Sequence, residues 1–185
     1  MSPTSAPEYT PYYCEENVWR LLARPEFAAE RAFAVLVSNP SRRVAMLRQR
    51  AGKGDSAFVE WDYQVFAAVT AAVAVAGGEG RAFIFDLDTL LGFPCPLDSY
   101  LAGSFPEGAP PILEPRFLVL RADRYVADLV SDRSHMRAAD GSYLAPPPPW
   151  PAPGAGSGRS NVLMAWIEEA ASSPIRALDA RVLAL

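Results

Sequence analysis

Apolar residues recur along this chain with two different periods, and the changes between them divide it into elements. In "CEENVWRLLARPEF", Val18, Leu21 and Leu22 fall at helical spacing, with Glu15 and Glu16 in the first turn where a helix dipole favours acids. The pattern predicts a helix opening at or next to Cys14. "RAFAVLVSNPSRRVAMLRQRAGKGDS" reads as two strands joined by the turn residues Asn39, Pro40 and Ser41, closing in a Gly-rich loop. The long apolar run from Phe58 to Val75 suits a central strand, and "AGGEG" turns it into "RAFIFDLDTL", a second strong strand ending in acids. An antiparallel pair is expected there. Further on, "FPCPLDSYLAGSF" predicts a loop and short helix, "PRFLVLRADRYVADLV" a strand and then a helix, and the proline-rich "SDRSHMRAADGSYLAPPPPWPAPGAGSG" an extended loop covering the domain. The last clear element, "NVLMAWIEEAASS", is helical, with Ser160 or Asn161 as N-cap. Residues 1–11 are polar and proline-containing and predict a loosely ordered arm ahead of the aromatics Tyr12 and Tyr13.

One position breaks this pattern. Gln64, in "FVEWDYQVF", lies inside what reads as a buried strand, and strands do not turn polar groups inward without a partner.

Composition narrows the classes of function. At 185 residues the chain is expected to be one domain, 1–185, large enough to fold without a disulfide or metal. A net charge of -4 and a pI of about 5.1 argue against a general nucleic-acid surface. The basic segment "SRRVAMLRQRAGK" reads as a solvated face instead. The start lacks a signal-peptide pattern, and no run of about 18 apolar residues follows, so a soluble, cytoplasmic, monomeric protein with no membrane partner is the expectation. Cys14 and Cys95 are too few for a disulfide framework, and His135 is the single histidine, so no metal site and no cofactor are expected. Cysteine chemistry here would be thiol chemistry.

A cysteine at a helix start is chemically placed, because the unsatisfied N–H groups and the dipole stabilise a thiolate and can hold an oxyanion. Asp86, among Phe83, Ile84, Phe85 and Leu87, is an acid on an apolar strand that needs a partner. Strand alternation puts Asp86 and Asp88 on one face. A nucleophile and an orienting acid leave the general base to be supplied, most often by histidine.

On "YYCEENVWRL", "VSNP", "WDYQV", "FIFDLDTLLGFPCPLDSY", "SDRSHM" and "PPPPWP", the chain resembles the protein N-terminal glutamine amidohydrolases, from residue 12 to about 150. The resemblance implies an α/β papain-like or transglutaminase-like thiol-hydrolase fold, an antiparallel sheet packed by helices. It also implies hydrolysis of the side-chain amide of an N-terminal Gln, giving Glu and ammonia, with no cofactor and with Gln-initiated proteins or peptides as partners. The family motif is W-D-Y-H-V, whose His is the base; this chain carries Gln64 there. The triad would carry over as Cys14, position 64 and Asp86, with Gln64 unable to shuttle a proton near neutral pH. Glu16 and Asp88 are the candidates for binding the substrate ammonium, and Trp61 and Tyr63 for shaping the pocket. His135 and Cys95 lie in segments that resemble the family's own and are expected to be structural or pocket-lining, and packed, respectively. Three readings remain open: an amidohydrolase that has lost its base by one replacement, a pseudoenzyme that binds protein N-termini, and an enzyme in which Gln64 helps to hold an oxyanion.

Overall fold

The computed structural model describes residues 6–28, 31–70, 82–179 and 182–184. Its centre is a five-stranded antiparallel sheet. Strand β1 (Arg31–Ser38) lies between β4 (Gln64–Thr70) and β7 (Arg116–Arg121), and β5 (Ala82–Phe85) and β6 (Cys95–Pro96) extend the sheet beyond β4. A separate two-stranded ribbon pairs β2 (Val44–Met46) with β3 (Val59–Trp61).

β1 is apolar along almost its whole length because both faces of the sheet are covered. Ala32, Ala34 and Leu36 join Val65, Ala67 and Val69 of β4 in one core. That core also holds Val18, Leu21 and Leu22 of helix α1 (Cys14–Leu22), Phe27 of the short helix α2 (Pro25–Ala28), Tyr125 of α4 (Ala122–Asp128), and Leu163, Trp166 and Ile167 of α5 (Leu163–Ser172). Phe33, Val35 and Val37 face the other way, into a second core with Phe66, Ala68, Ile84 and Tyr100 of helix α3 (Leu97–Ser104). Each fully buried large apolar side chain contributes about 1.5–3 kcal/mol. Val18, Leu21 and Leu22 therefore fix the rotation of α1 about its axis, and with it the direction of every side chain in its first turn.

Several expectations are corrected. The segment from Arg31 to Ser56 does hold two strands joined through Asn39, Pro40 and Ser41, but they do not pair with each other: β1 enters the main sheet and β2 the ribbon. The reason lies in Asn39, whose Nδ2 donates to the carbonyls of Arg43, Ile112 and Glu114 and whose Oδ1 accepts from the N–H groups of Ser41 and Arg43. These bonds hold the connection as a corner. The run from Phe58 is likewise two strands, broken at Asp62, whose Oδ1 accepts the N–H of Tyr63 and whose carbonyl accepts the Ser38 hydroxyl. Its last part, 71–75, lies outside the described residues. β5 ends at Phe85, so Asp86 and Asp88 meet through a turn rather than by strand alternation. From residue 6 the arm contacts α1 and the residues after it: Arg24 donates to the Ala6 carbonyl, Glu8 pairs with Arg20, and Asn17 bonds both the N–H and the carbonyl of Thr10.

α1 opens at Cys14, and α3, α4, α5 and β7 fall where the pattern put them. Asn161 Oδ1 accepts the Leu163 N–H at 3.0 Å at the start of α5. No helix among the described residues is long and apolar enough to cross a membrane.

Candidate active site

α1 packs across β4, which brings Cys14, the first residue of the helix, to the end of the sheet where β4 begins with Gln64. Both line a cavity of about 400 Å³, together with Tyr12, Trp61, Tyr63, Asp88 and His135.

Gln64 is buried, and its amide nitrogen donates to two carboxylates, Asp86 Oδ1 at 3.1 Å and Asp88 Oδ2 at 3.2 Å. This is how the strand carries an amide inward: both donors of the NH₂ group are used, and the amide plane is fixed. Asp86 is the hub of the polar cluster. Its Oδ1 also accepts the Asp88 N–H at 2.9 Å, and its Oδ2 accepts from the Tyr100 hydroxyl at 2.9 Å and from Gln49 Nε2 at 3.3 Å. Asp88 Oδ1 accepts the Tyr9 hydroxyl at 2.7 Å, so the N-terminal arm reaches the site.

Burial, reinforced by the neighbouring Asp88 charge, pushes Asp86 up to about 6, against the opposing pull of its Asp88, Tyr100 and Gln49 donors. Asp88 is raised as well, first by burial. A carboxyl whose folded value lies above its ordinary one binds more protons folded than unfolded between those two values, so its contribution to stability falls as pH rises through that window. Subtracting the stability-versus-pH curve of Asp86→Asn from that of the parent chain is expected to leave a decline between about pH 4 and pH 6. A flat or rising difference, from denaturant titrations at each pH, refutes this.

The thiol of Cys14 is held in its neutral form: burial raises it, the Glu15 and Asp88 carboxylates raise it further, and a Val65 backbone N–H opposes them. Its sulfur lies 3.7 Å from Glu15 Oε2. The same carboxylate oxygen accepts the Tyr63 hydroxyl at 3.0 Å, and Glu15 Oε1 is 3.4 Å from His135 Nε2, which also lies 3.1 Å from the Tyr63 hydroxyl. Burial acts to lower His135, but the Glu15 carboxylate outweighs it and the imidazole is raised.

The structure thus brings together Cys14, Gln64, Asp86, Asp88, Trp61 and Tyr63 of the candidates. Glu16 it places elsewhere, which corrects its assignment as an ammonium acceptor. Its carboxylate is fully buried against Arg133, with Nε at 2.7 Å and Nη2 at 2.8 Å, and it accepts the Trp150 indole N–H at 2.9 Å. Successive helical residues point about 100° apart, so only one of the paired acids can face the thiol. Sequence reasoning missed Glu15; the doubled acid after the cysteine was the available signal, but it does not say which member turns inward. Trp61 donates to Gln49 Oε1 at 3.4 Å and meets the Tyr12 ring edge-on, its centroid 6.2 Å away. Cys95 is buried, as its packed role requires.

A helix that opens on a cysteine and packs against an antiparallel sheet carrying a buried Gln–Asp pair is consistent with the papain-like thiol-hydrolase class of α/β folds. A family model described as N-terminal glutamine amidase matches residues 9–179. Proteins named protein N-terminal glutamine amidohydrolase are similar over most of the chain. The one from Bos taurus is 37% identical over 166 residues, 86% of this chain and 77% of that protein. The Homo sapiens protein is 36% identical, covering 86% and 78%. The one from Drosophila ananassae is 41% identical over 152 residues, 77% and 70%. The chain belongs to the N-terminal glutamine amidase family.

Proposed function

We propose that this chain is a protein N-terminal glutamine amidohydrolase whose turnover is impaired because Gln64 stands where the base belongs. The observation that carries the reading is the shared cavity of Cys14 and Gln64, with Gln64 hydrogen-bonded to Asp86. Cys14 Sγ attacks the amide carbon of the substrate side chain, the N–H groups at the start of α1 hold the oxyanion, and the C–N bond breaks to release ammonia. Water then hydrolyses the thioester to the glutamate product. Gln64 donates a hydrogen bond but moves no proton near pH 7, so each step loses its principal acid–base partner. The domain is a single catalytic unit acting as a soluble monomer on the N-termini of proteins or peptides.

Asp88 binds the substrate ammonium, since it lines the cavity and keeps a carboxylate there, while Trp61 and Tyr63 set the cavity's shape. A charge-assisted hydrogen bond contributes about 1.5–3 kcal/mol, so Asp88→Asn should weaken binding of a free-amine Gln peptide by roughly tenfold to a hundredfold. Titration calorimetry with free and N-acetylated peptides checks this; equal affinities in the parent chain remove the assignment.

The activity test is mass spectrometry of a short Gln-initiated peptide incubated with the Gln64→His variant. Conversion of the amide to the acid is expected, together with its disappearance in Cys14→Ser/Gln64→His. If Gln64→His leaves the peptide unchanged, the proposed activity fails. The pseudoenzyme reading is favoured instead if the parent chain binds the peptide and neither chain converts it.

A further inference from the structure

We infer that Glu15 is the proton acceptor for Cys14 in this chain, so that the turnover left without a base at position 64 runs through its carboxylate. The inference rests on the amidohydrolase reading above. Glu15 is completely buried, and its Oε2 is the carboxylate oxygen that contacts the nucleophile, at 3.7 Å from the sulfur. The carboxylate meets the imidazole of His135, with Nε2 3.4 Å from Oε1, in a looser pairing than that of Glu16 with Arg133 at 2.7 Å. Oε2 takes one further donor, the Tyr63 hydroxyl, and Oε1 has no hydrogen-bond donor of its own beyond the approach of His135 Nε2 at 3.4 Å. Nδ1 of His135 is buried and likewise without a partner. A buried carboxylate with spare acceptor capacity is costly unless something nearby donates to it, and the thiol is the donor in place. Gln64, by contrast, has both amide protons committed to Asp86 and Asp88.

The step balances without an external co-reactant. The Cys14 S–H proton passes to Glu15 Oε2 as the sulfur forms its bond to the amide carbon. The amide C–N bond then breaks, and the leaving nitrogen takes that proton to depart as ammonia. In the second half, water gives a proton to the regenerated carboxylate while its oxygen bonds to the thioester carbon, and the departing sulfur takes the proton back. Tyr63 and His135 are positioning residues: both contact the carboxylate and orient it. A carboxylate is a weaker base than an imidazole, which places this route below that of a histidine at position 64.

The experiment compares Glu15→Gln in two backgrounds, the parent chain and Gln64→His, with steady-state turnover of a Gln-initiated peptide as one readout and iodoacetamide alkylation of Cys14, followed by peptide mapping, as the other. In the parent chain Glu15→Gln should cut turnover about tenfold or more; in Gln64→His the loss should stay within about threefold, because the imidazole takes the proton instead. Alkylation should slow in the parent chain, where the thiol loses its proton acceptor, and change little in Gln64→His, whereas a collapsed site slows it in both. Equal losses of turnover in the two backgrounds, or alkylation that does not slow in the parent chain, overturn the proposal. If Glu15→Gln does not fold, Tyr63→Phe withdraws one donor from the same carboxylate and should again cost more in the parent chain than in Gln64→His. Equal costs overturn it. If the parent chain turns over no faster than its Cys14→Ala variant while Gln64→His converts the peptide, the Glu15 route is wrong and the amidohydrolase reading stands. If neither converts it, both are wrong.

Discussion

Gln64→His is expected to raise kcat on a Gln-initiated peptide by on the order of 10²–10⁴-fold, the range that general acid–base catalysis supplies. The proposed mechanism puts an imidazole at this position. Asp86 Oδ1 lies 3.1 Å from the side-chain nitrogen of Gln64 and is itself held by the Asp88 N–H, so the orienting carboxylate needs no rearrangement. A charged imidazole would also relieve the crowding of negative charge that keeps the Cys14 thiol neutral, because Glu15 and Asp88 are its main electrostatic opponents after burial itself. The gain should fall on kcat with little change in KM, since the proton moves only on the way to the transition state. Asp86→Asn in the Gln64→His background should return most of the gain, by freeing the ring to turn. An increase below about tenfold, with the variant folded, contradicts this account of position 64.

The second large effect concerns stability. Arg133→Met is expected to cost about 3–5 kcal/mol, which for a chain of this size lowers Tm by roughly 6–20 °C. Glu16 has no exposure at all, and Arg133 supplies two of its three donors. Removing the guanidinium leaves a buried carboxylate uncompensated, while losing only the ion pair's net worth would cost far less. The same guanidinium donates to the Trp150 carbonyl at 2.9 Å, and Tyr13 donates to the Ala145 carbonyl at 3.1 Å, so the long loop after α4 is anchored to the start of α1 from two points. That loop supplies His135, Leu144 and Ala145 to the cavity. Thermal unfolding followed by circular dichroism checks the magnitude. Glu16→Met/Arg133→Met should recover part of the loss by removing both charges. If the double variant is less stable than Arg133→Met, the desolvation argument fails.

Local pattern was enough for much of this protein. The helical spacing of Val18, Leu21 and Leu22 and the acids behind Cys14 put the start of α1 at or next to Cys14, since a helix start and an amphipathic face are written within a few neighbouring positions. Strands β5 and β7 and helices α3 to α5 were legible for the same reason. So was the anomaly of Gln64, because a polar residue in an apolar run stands out before its partners are known.

Partnership between distant segments was not legible. β1 and β2 read as two strands joined by a turn, yet Asn39 bonds to Ile112 and Glu114, more than 70 residues away, and the two strands enter different sheets. Asp86 and Asp88 do meet at one place, but by a turn past the end of β5 that gathers donors from Gln49, Gln64, Tyr100 and Tyr9. The choice between Glu15 and Glu16 shows the physical reason most plainly. Adjacent in sequence and alike in chemistry, they differ only in where the packed rotation of α1 directs them, one to the thiol and the other to Arg133. Residue type and spacing fixed which chemistry was present; the packing of α1 on β4 and the return of the loop from 131 to 150 decided which groups meet, because those contacts join segments whose separation along the chain carries no local signal.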